Sequence, residues 1–119
     1  MAGIYEMAKE LGGALARTEE YQALKRASDA AEDERELVEL RNRIGSIEAE
    51  LEASMRAGQE PADDLKERYA AAAEELQAMP AFQRVVAAQA NFEKVMYKVN
   101  ETVAKGIDEG AQSRIIISS

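Results

Sequence analysis

Two narrow apolar stripes, separated by a glycine and a proline, leave this chain few ways to fold. Leu37, Leu40, Ile44, Ile47 and Leu51 follow one another at 3-4-3-4, and Met55 roughly extends the row. Leu65, Tyr69, Ala72, Leu76 and Met79 then repeat the pattern at 4-3-4-3. Spacings that alternate between three and four place each row on one side of a helix, and a stripe this narrow faces one partner helix rather than a broad core. Gly58 suits the left-handed residue that closes a helix, and Pro61 cannot continue one. The two stripes therefore predict an antiparallel helical hairpin with its tip between 58 and 64.

Composition agrees. Charged residues make up 32% of the 119, while two prolines, seven glycines and few β-branched residues argue against a sheet protein. A chain of this length is one domain. A long hairpin leaves much of each helix in water, so self-association is the natural way to cover what one copy cannot. The net charge of −8, with basic residues scattered among acids, disfavours nucleic acid and anionic membrane surfaces as direct partners. No apolar run approaches the ~18 residues of a spanning helix. Glu6, Lys9 and Glu10 interrupt the apolar stretch that a signal peptide would need. With no cysteine in the chain, disulfides and thiolate clusters are excluded, which sits easily with a cytoplasmic protein.

Before the hairpin, Ile4, Met7, Ala8, Leu11 and Leu15 share one helical face. Gly12 and Gly13 fall inside that helix, so either it bends there or another helix packs closely on it. Thr18 has the chemistry of an N-cap, with Glu19 and Glu20 in the positive first turn that follows and Tyr21, Leu24, Ala27 and Ala31 as the inner face of a second helix. The two segments equally fit one kinked helix. Asp33 is the expected N-cap of the third helix, on whose outer face Glu39 and Arg43 form an i, i+4 pair.

Beyond the hairpin, Met79 and Pro80 end one helix and begin the next, because a residue before proline is pushed out of helical geometry and proline suits a first turn. Phe82, Val85, Gln89, Phe92, Met96, Val99, Val103 and Ile107 then run at 3-4-3-4-3-4-4, the longest stripe in the chain. Val86 and Val95 lie beside it, so this helix has a second possible neighbour. Glu101 with Lys105 supports its outer face, and Gly110 is the expected end. Gln89 at a seam position reads as a register device; Tyr97 and Asn100 read as register or plain exposure. Phe82, Phe92 and Met96 read as seam core before they read as a partner groove.

Catalytic chemistry is scarce. Nearly all carboxylates fall on predicted solvent faces, whereas an acid–base pair needs a partly desolvated site that separates its pKa values. Without histidine there is no Glu-x-x-His di-iron pair and no ordinary serine triad. Gly12 and Gly13 lack the lysine of a phosphate-binding loop. The sequence predicts no enzyme, no metal site, no cofactor and no small-molecule substrate.

Three blocks resemble the YlbF/YmcA family of small helical bacterial proteins, the Com_YlbF group. The first is 11–16, followed by Glu19, Glu20, Tyr21, Gln22 and the downstream Ala27. The second is Glu36 and Leu37 with Leu40 and the long seam. The third is Met79 and Pro80, then 88–92, Val95 and Met96, and Val99 and Asn100, similar to the family's proline-anchored helix that ends in Val-Asn. Together the blocks reach from about 4 to 107. All are helix-packing patterns rather than catalytic signatures.

The resemblance implies a self-associating all-helical regulatory or adaptor protein in bacterial competence, biofilm and sporulation control, acting in complexes that influence an endoribonuclease and mRNA maturation. Partners so implied are other small helical regulators and a ribonuclease. Some assemblies of the family carry iron–sulfur clusters on cysteine ligands. This chain departs there, having no cysteine, which puts a cluster-bearing role in doubt.

The expectation is thus an all-α fold with a long antiparallel hairpin, a long C-terminal helix and short N-terminal helices in bundle-like or coiled-coil packing. One domain covers 1–110, with helices near 3–17, 19–31, 34–57, 63–78 and 80–109 and a flexible tail at 111–119. The candidate contact residues are Leu37, Leu40, Ile44, Ile47, Leu51, Leu65, Tyr69, Leu76, Phe82, Phe92, Met96, Val99 and Val103, with a homodimer or higher homo-oligomer as the assembly. The alternative function is a structural or chaperone-like coiled coil that clasps clients between hairpin arms.

Overall fold

In a computed structural model the chain forms five helices: α1 (Ile4–Ala16), α2 (Glu19–Asp33), α3 (Arg35–Arg56), α4 (Asp63–Ala78) and α5 (Pro80–Ser118). The structure describes residues 3–118, with side chains as far as Gln112. The fold is all-α.

Each junction has a local cause. Thr18 caps α2: its Oγ1 accepts from the Tyr21 amide at 3.1 Å while its hydroxyl donates to the Leu15 carbonyl at 2.7 Å. Two helices rather than one kinked helix result. Gly58 closes α3 at φ +73°, with the Gly58 amide on the Met55 carbonyl at 3.1 Å and the Gln59 amide on the Ser54 carbonyl at 3.0 Å. That pair of bonds is the Schellman arrangement, which only a left-handed residue at position 58 permits without strain. Met79 is extended at φ −74°, ψ 125°, as a residue before proline must be, and Pro80 opens α5.

Four local expectations are corrected. Asp33 is the last residue of α2; the one extended residue of the joint is Glu34, which precedes α3 without a side-chain cap. A cap must itself be extended, and the chain needs only that single residue to turn. Gly12 and Gly13 mark neither a break nor a close approach: α1 runs through both, a Cβ on Gly12 would meet open space, and one on Gly13 would meet only the Arg17 guanidinium. Arg43 pairs with Glu75 across the hairpin at 3.6 Å rather than with Glu39 along its own helix. Finally, α5 does not stop at Gly110 but continues to Ser118. Among the described residues Gly58 is the only glycine with positive φ, so Gly110 makes no left-handed closure. One helical glycine costs about 1 kcal/mol, which does not by itself end a helix that has good helix formers such as Ala111 and Gln112 beyond it. The side chains of Ile115, Ile116 and Ile117, and Ser119 altogether, lie outside the described residues.

The helices pair into two antiparallel arms. In the first, α3 lies against α4, with Leu40, Ile47, Leu65 and Ala72 buried between them and Ile44, Leu51, Tyr69, Leu76 and Met79 packed around. Arg43 with Glu75 and Arg68 with Glu50 (3.4 Å) bracket this seam from outside. In the second arm α2 lies along α5, the most extensive helix contact in the molecule. The arms share one end, where Ala31, Leu37 and Ala81 are buried beneath Leu76, Met79, Phe82 and Val85.

Ile47 sits at the centre of the first arm and is 3% exposed. Ile47→Asp buries an unpaired carboxylate there and is expected to cost about 3 kcal/mol or more in urea unfolding. Glu39→Gln on the exposed face should change stability by less than about 0.5 kcal/mol. Near-wild-type stability of the aspartate variant would mean that this seam faces water.

Candidate interaction surface

The thirteen candidate contact residues separate by depth. Leu37, Leu40, Ile47 and Leu65 are buried, and Ile44, Leu51, Tyr69, Leu76, Phe82, Phe92, Met96 and Val99 are half-buried. Val103 is 49% exposed, which corrects its place in an internal seam. The hairpin members meet one another as the stripes require, and Phe82 joins the shared end of the arms. Phe92 meets Tyr21 edge to face, ring centroids 5.4 Å apart at 64°, which ties α5 to α2.

The phase of the α5 stripe needs one correction. Ala88 is buried, whereas Gln89 is exposed and donates from Nε2 to Glu93 Oε1 at 3.5 Å on its own helix. Gln89 is therefore no register device. The inner row reads Ala81, Val85, Ala88, Phe92, Val95 with Met96, and Val99. Alanine gives weak apolar contrast, so counting large side chains alone selects Gln89. The signal lay in the alanines: Ala31 is buried with Ala81, and Ala88 is buried on the same face of α5. Tyr97 and Asn100 are simply exposed.

Most of the exposed large apolar side chains lie on α1 and the distal part of α5, with Met55, Val86 and Tyr97 exposed elsewhere. α5 has 39 residues, about 58 Å of helix, whereas the 15 residues of α2 span only about 22 Å. Beyond Val99 the stripe continues as Val103 and Ile107, the latter 66% exposed. α1 buries none of its residues, and Ile4, Tyr5, Met7 and Leu11 face solvent. The radius of gyration is 21.8 Å, against about 13–14 Å for a compact chain of this length. Accessible surface is 9367 Å², against about 6,400 Å² expected at this mass.

α2 and α5 leave an open groove of about 580 Å³ with Ala23 and Val95 on its floor, Glu19 and Glu20 on one rim, and Lys94 and Lys98 on the other. A smaller hollow of about 450 Å³ lies by Phe82 and Val86. Among the described residues no charged side chain is buried, and no three metal-ligating side chains converge. No described helix is long and apolar enough to cross a membrane. The surface can offer apolar helix faces with charged margins.

The phase of α5 is testable. Ala88→Gln forces a long polar side chain into the α2 contact and should cost about 1–3 kcal/mol by chemical denaturation. Gln89→Ala should stay within about 0.5 kcal/mol of the parent. The reverse order would restore Gln89 to the seam.

Comparison with known proteins gives one family and one fold. The Com_YlbF family profile, described as "Control of competence regulator ComK, YlbF/YmcA", matches residues 4–108. A "UPF0342 protein" of Limosilactobacillus reuteri (strain DSM 20016) is 23% identical over 109 residues, covering 92% of this chain and 89% of its own. A "UPF0342 protein" of Leuconostoc citreum (strain KM20) is 23% identical over 104 residues, covering 87% and 88%. Among solved structures, a "Protein of Unknown Function (DUF964) from Bacillus stearothermophilus" superposes with TM-score 0.64 at 20% identity, over 89% of this chain and 93% of that one. The similarity runs through both arms.

Proposed function

Because the chain belongs to the Com_YlbF family, whose description is control of the competence regulator ComK, we propose that it is a non-enzymatic cytoplasmic adaptor that regulates through protein–protein contacts. The observation that carries this reading is the apolar surface left bare: α1 and the distal part of α5 present large hydrophobic side chains that its own fold leaves in water. Large apolar side chains that a fold leaves in water mark candidate interaction sites. The surface far above that of a compact chain supports the same reading.

On this reading the protein forms a homodimer or higher homo-oligomer, and further helical faces recruit partners. Those partners are other small helical regulators and a ribonuclease. With no cysteine the chain supplies no thiolate for an iron–sulfur cluster, so no step of the proposed function runs through one.

Cross-linked affinity purification from the native cell, read by mass spectrometry, tests the adaptor. A ribonuclease and related small helical proteins should co-purify; recovery of this chain alone would overturn the reading. Light scattering of an aggregating client separates it from a chaperone-like coiled coil, because an adaptor leaves the aggregation unchanged.

A further inference from the structure

The two helix pairs treat their marginal charges differently. Beside the α3–α4 seam, Arg43, Arg68 and Glu75 line a hollow of about 300 Å³ over Ile47 and Ala72. Opposite charges meet across that seam, Arg43 with Glu75 at 3.6 Å and Arg68 with Glu50 at 3.4 Å. The groove between α2 and α5 is larger, about 580 Å³, and its opposite charges stay apart. Glu19 and Glu20 face Lys94 and Lys98 across it, yet among the described residues no ion pair joins the two helices. Between the rims lie Ala23, Val95 and Val99, all half-buried.

This arrangement narrows what the groove can hold. Val95 with Val99 and Lys94 with Lys98 are i, i+4 pairs, so an apolar row and a basic row run side by side along α5. From Asn91 to Val99 the groove follows about 12 Å of that helix, and on the α2 side the short side chain of Ala23 leaves its floor open. A polyanion or an anionic membrane surface would lie against Glu19 and Glu20 as well as against the lysines. An amphipathic helix meets both rims at once, because its apolar stripe covers the floor while its two flanks carry charges of opposite sign.

Resting on the adaptor reading above, we infer that this groove receives an amphipathic helix of a partner protein whose apolar stripe has carboxylates along one flank and basic side chains along the other. The carboxylates lie against Lys94 and Lys98, and the basic side chains against Glu19 and Glu20. The partner thus supplies between the rims the pairing that the α3–α4 seam makes for itself. Turning a helix end for end on a surface exchanges its left and right flanks, so the two rims also fix the direction in which the partner lies. Burial of the stripe on Ala23, Val95 and Val99 supplies most of the affinity, and the solvent-exposed rim pairs supply selectivity.

The chain has no tryptophan, so a tryptophan on the stripe of a synthetic helix reports binding without background. Two peptides of about 18 residues, long enough to hold a helix, share one composition and one leucine stripe carrying that tryptophan. In the first, glutamates fill one flank and lysines the other; in the second, both flanks mix the two. The full-length protein should bind the first about tenfold more tightly than the second. Lys94→Glu/Lys98→Glu, at exposed positions within α5, should keep the parent's helicity and abolish that preference. Ala23→Phe, which fills the floor, should weaken the first peptide about tenfold. Binding to neither peptide, equal affinity for the two, or a preference that survives the charge reversal would overturn the inference. So would an Ala23→Phe chain that binds the first peptide as the parent does. An Ala23→Phe chain whose own sedimentation shifts toward monomer would make a second copy the occupant and overturn it too. Each of these failures leaves the adaptor reading in place, since only recovery of this chain alone in the cross-linked purification removes that reading.

Discussion

Everything in this molecule hangs on the place where its two arms meet. Leu37 is fully buried there, beneath the joint at Glu34 on one side and the Met79 to Pro80 joint on the other. Leu76 and Met79 belong to the packing of both arms, so the hairpin and the α2–α5 pair are not independent modules. Both joints are single extended residues, Glu34 and Met79, and each leaves its helices no slack. With the joints this short, the contact around Leu37 sets how α3 and α4 leave the junction, and with them where α2 lies on α5.

The sequence made the hairpin legible because its seam is built from large apolar residues at heptad-like spacing. Leu40, Ile47 and Leu65 are buried where periodicity alone puts them, and Gly58 closes α3 as its backbone freedom allows. The α2–α5 pair was harder to read for a physical reason. Three of its buried positions are Ala31, Ala81 and Ala88, whose small side chains bury easily but contribute little to an apolar pattern. A phenylalanine-weighted row therefore slips by one residue onto Gln89. Pairing between segments some sixty residues apart also leaves no local signal at all: nothing between Tyr21 and Phe92 announces that their rings meet.

The long α5 shows the opposite error. Gly110 resembles a stop signal, but a glycine ends a helix only when its backbone turns left-handed, and that depends on whether the following residues gain more by leaving the helix than by extending it. Where no neighbouring element competes for Ala111 and Gln112, extension wins. Val103 reads as core by period and is solvent-exposed in the single chain for a related reason. Periodicity reports that a face is apolar; which helix covers it, and how far, is decided by lengths. Here α5 is more than twice as long as α2.

That mismatch also explains why function is so weakly written in this chain. A catalytic site needs particular groups at particular distances, and such constellations survive in sequence as spaced polar residues. A helical contact surface needs only shape, apolar area and a few charges at its margin, and many sequences meet those terms. The relatives at 23% identity over nine-tenths of the chain fit that freedom. The groove between α2 and α5 follows the same logic. Glu19 and Glu20 favour the positive start of α2 and Lys94 and Lys98 lie on the outward turns of α5, so its charged rims come from ordinary helix preferences before any partner is considered. Specificity in such a surface arises from where the bare faces lie along rigid helices, and their position is fixed by the packing at Leu37 and by the bonds of Thr18.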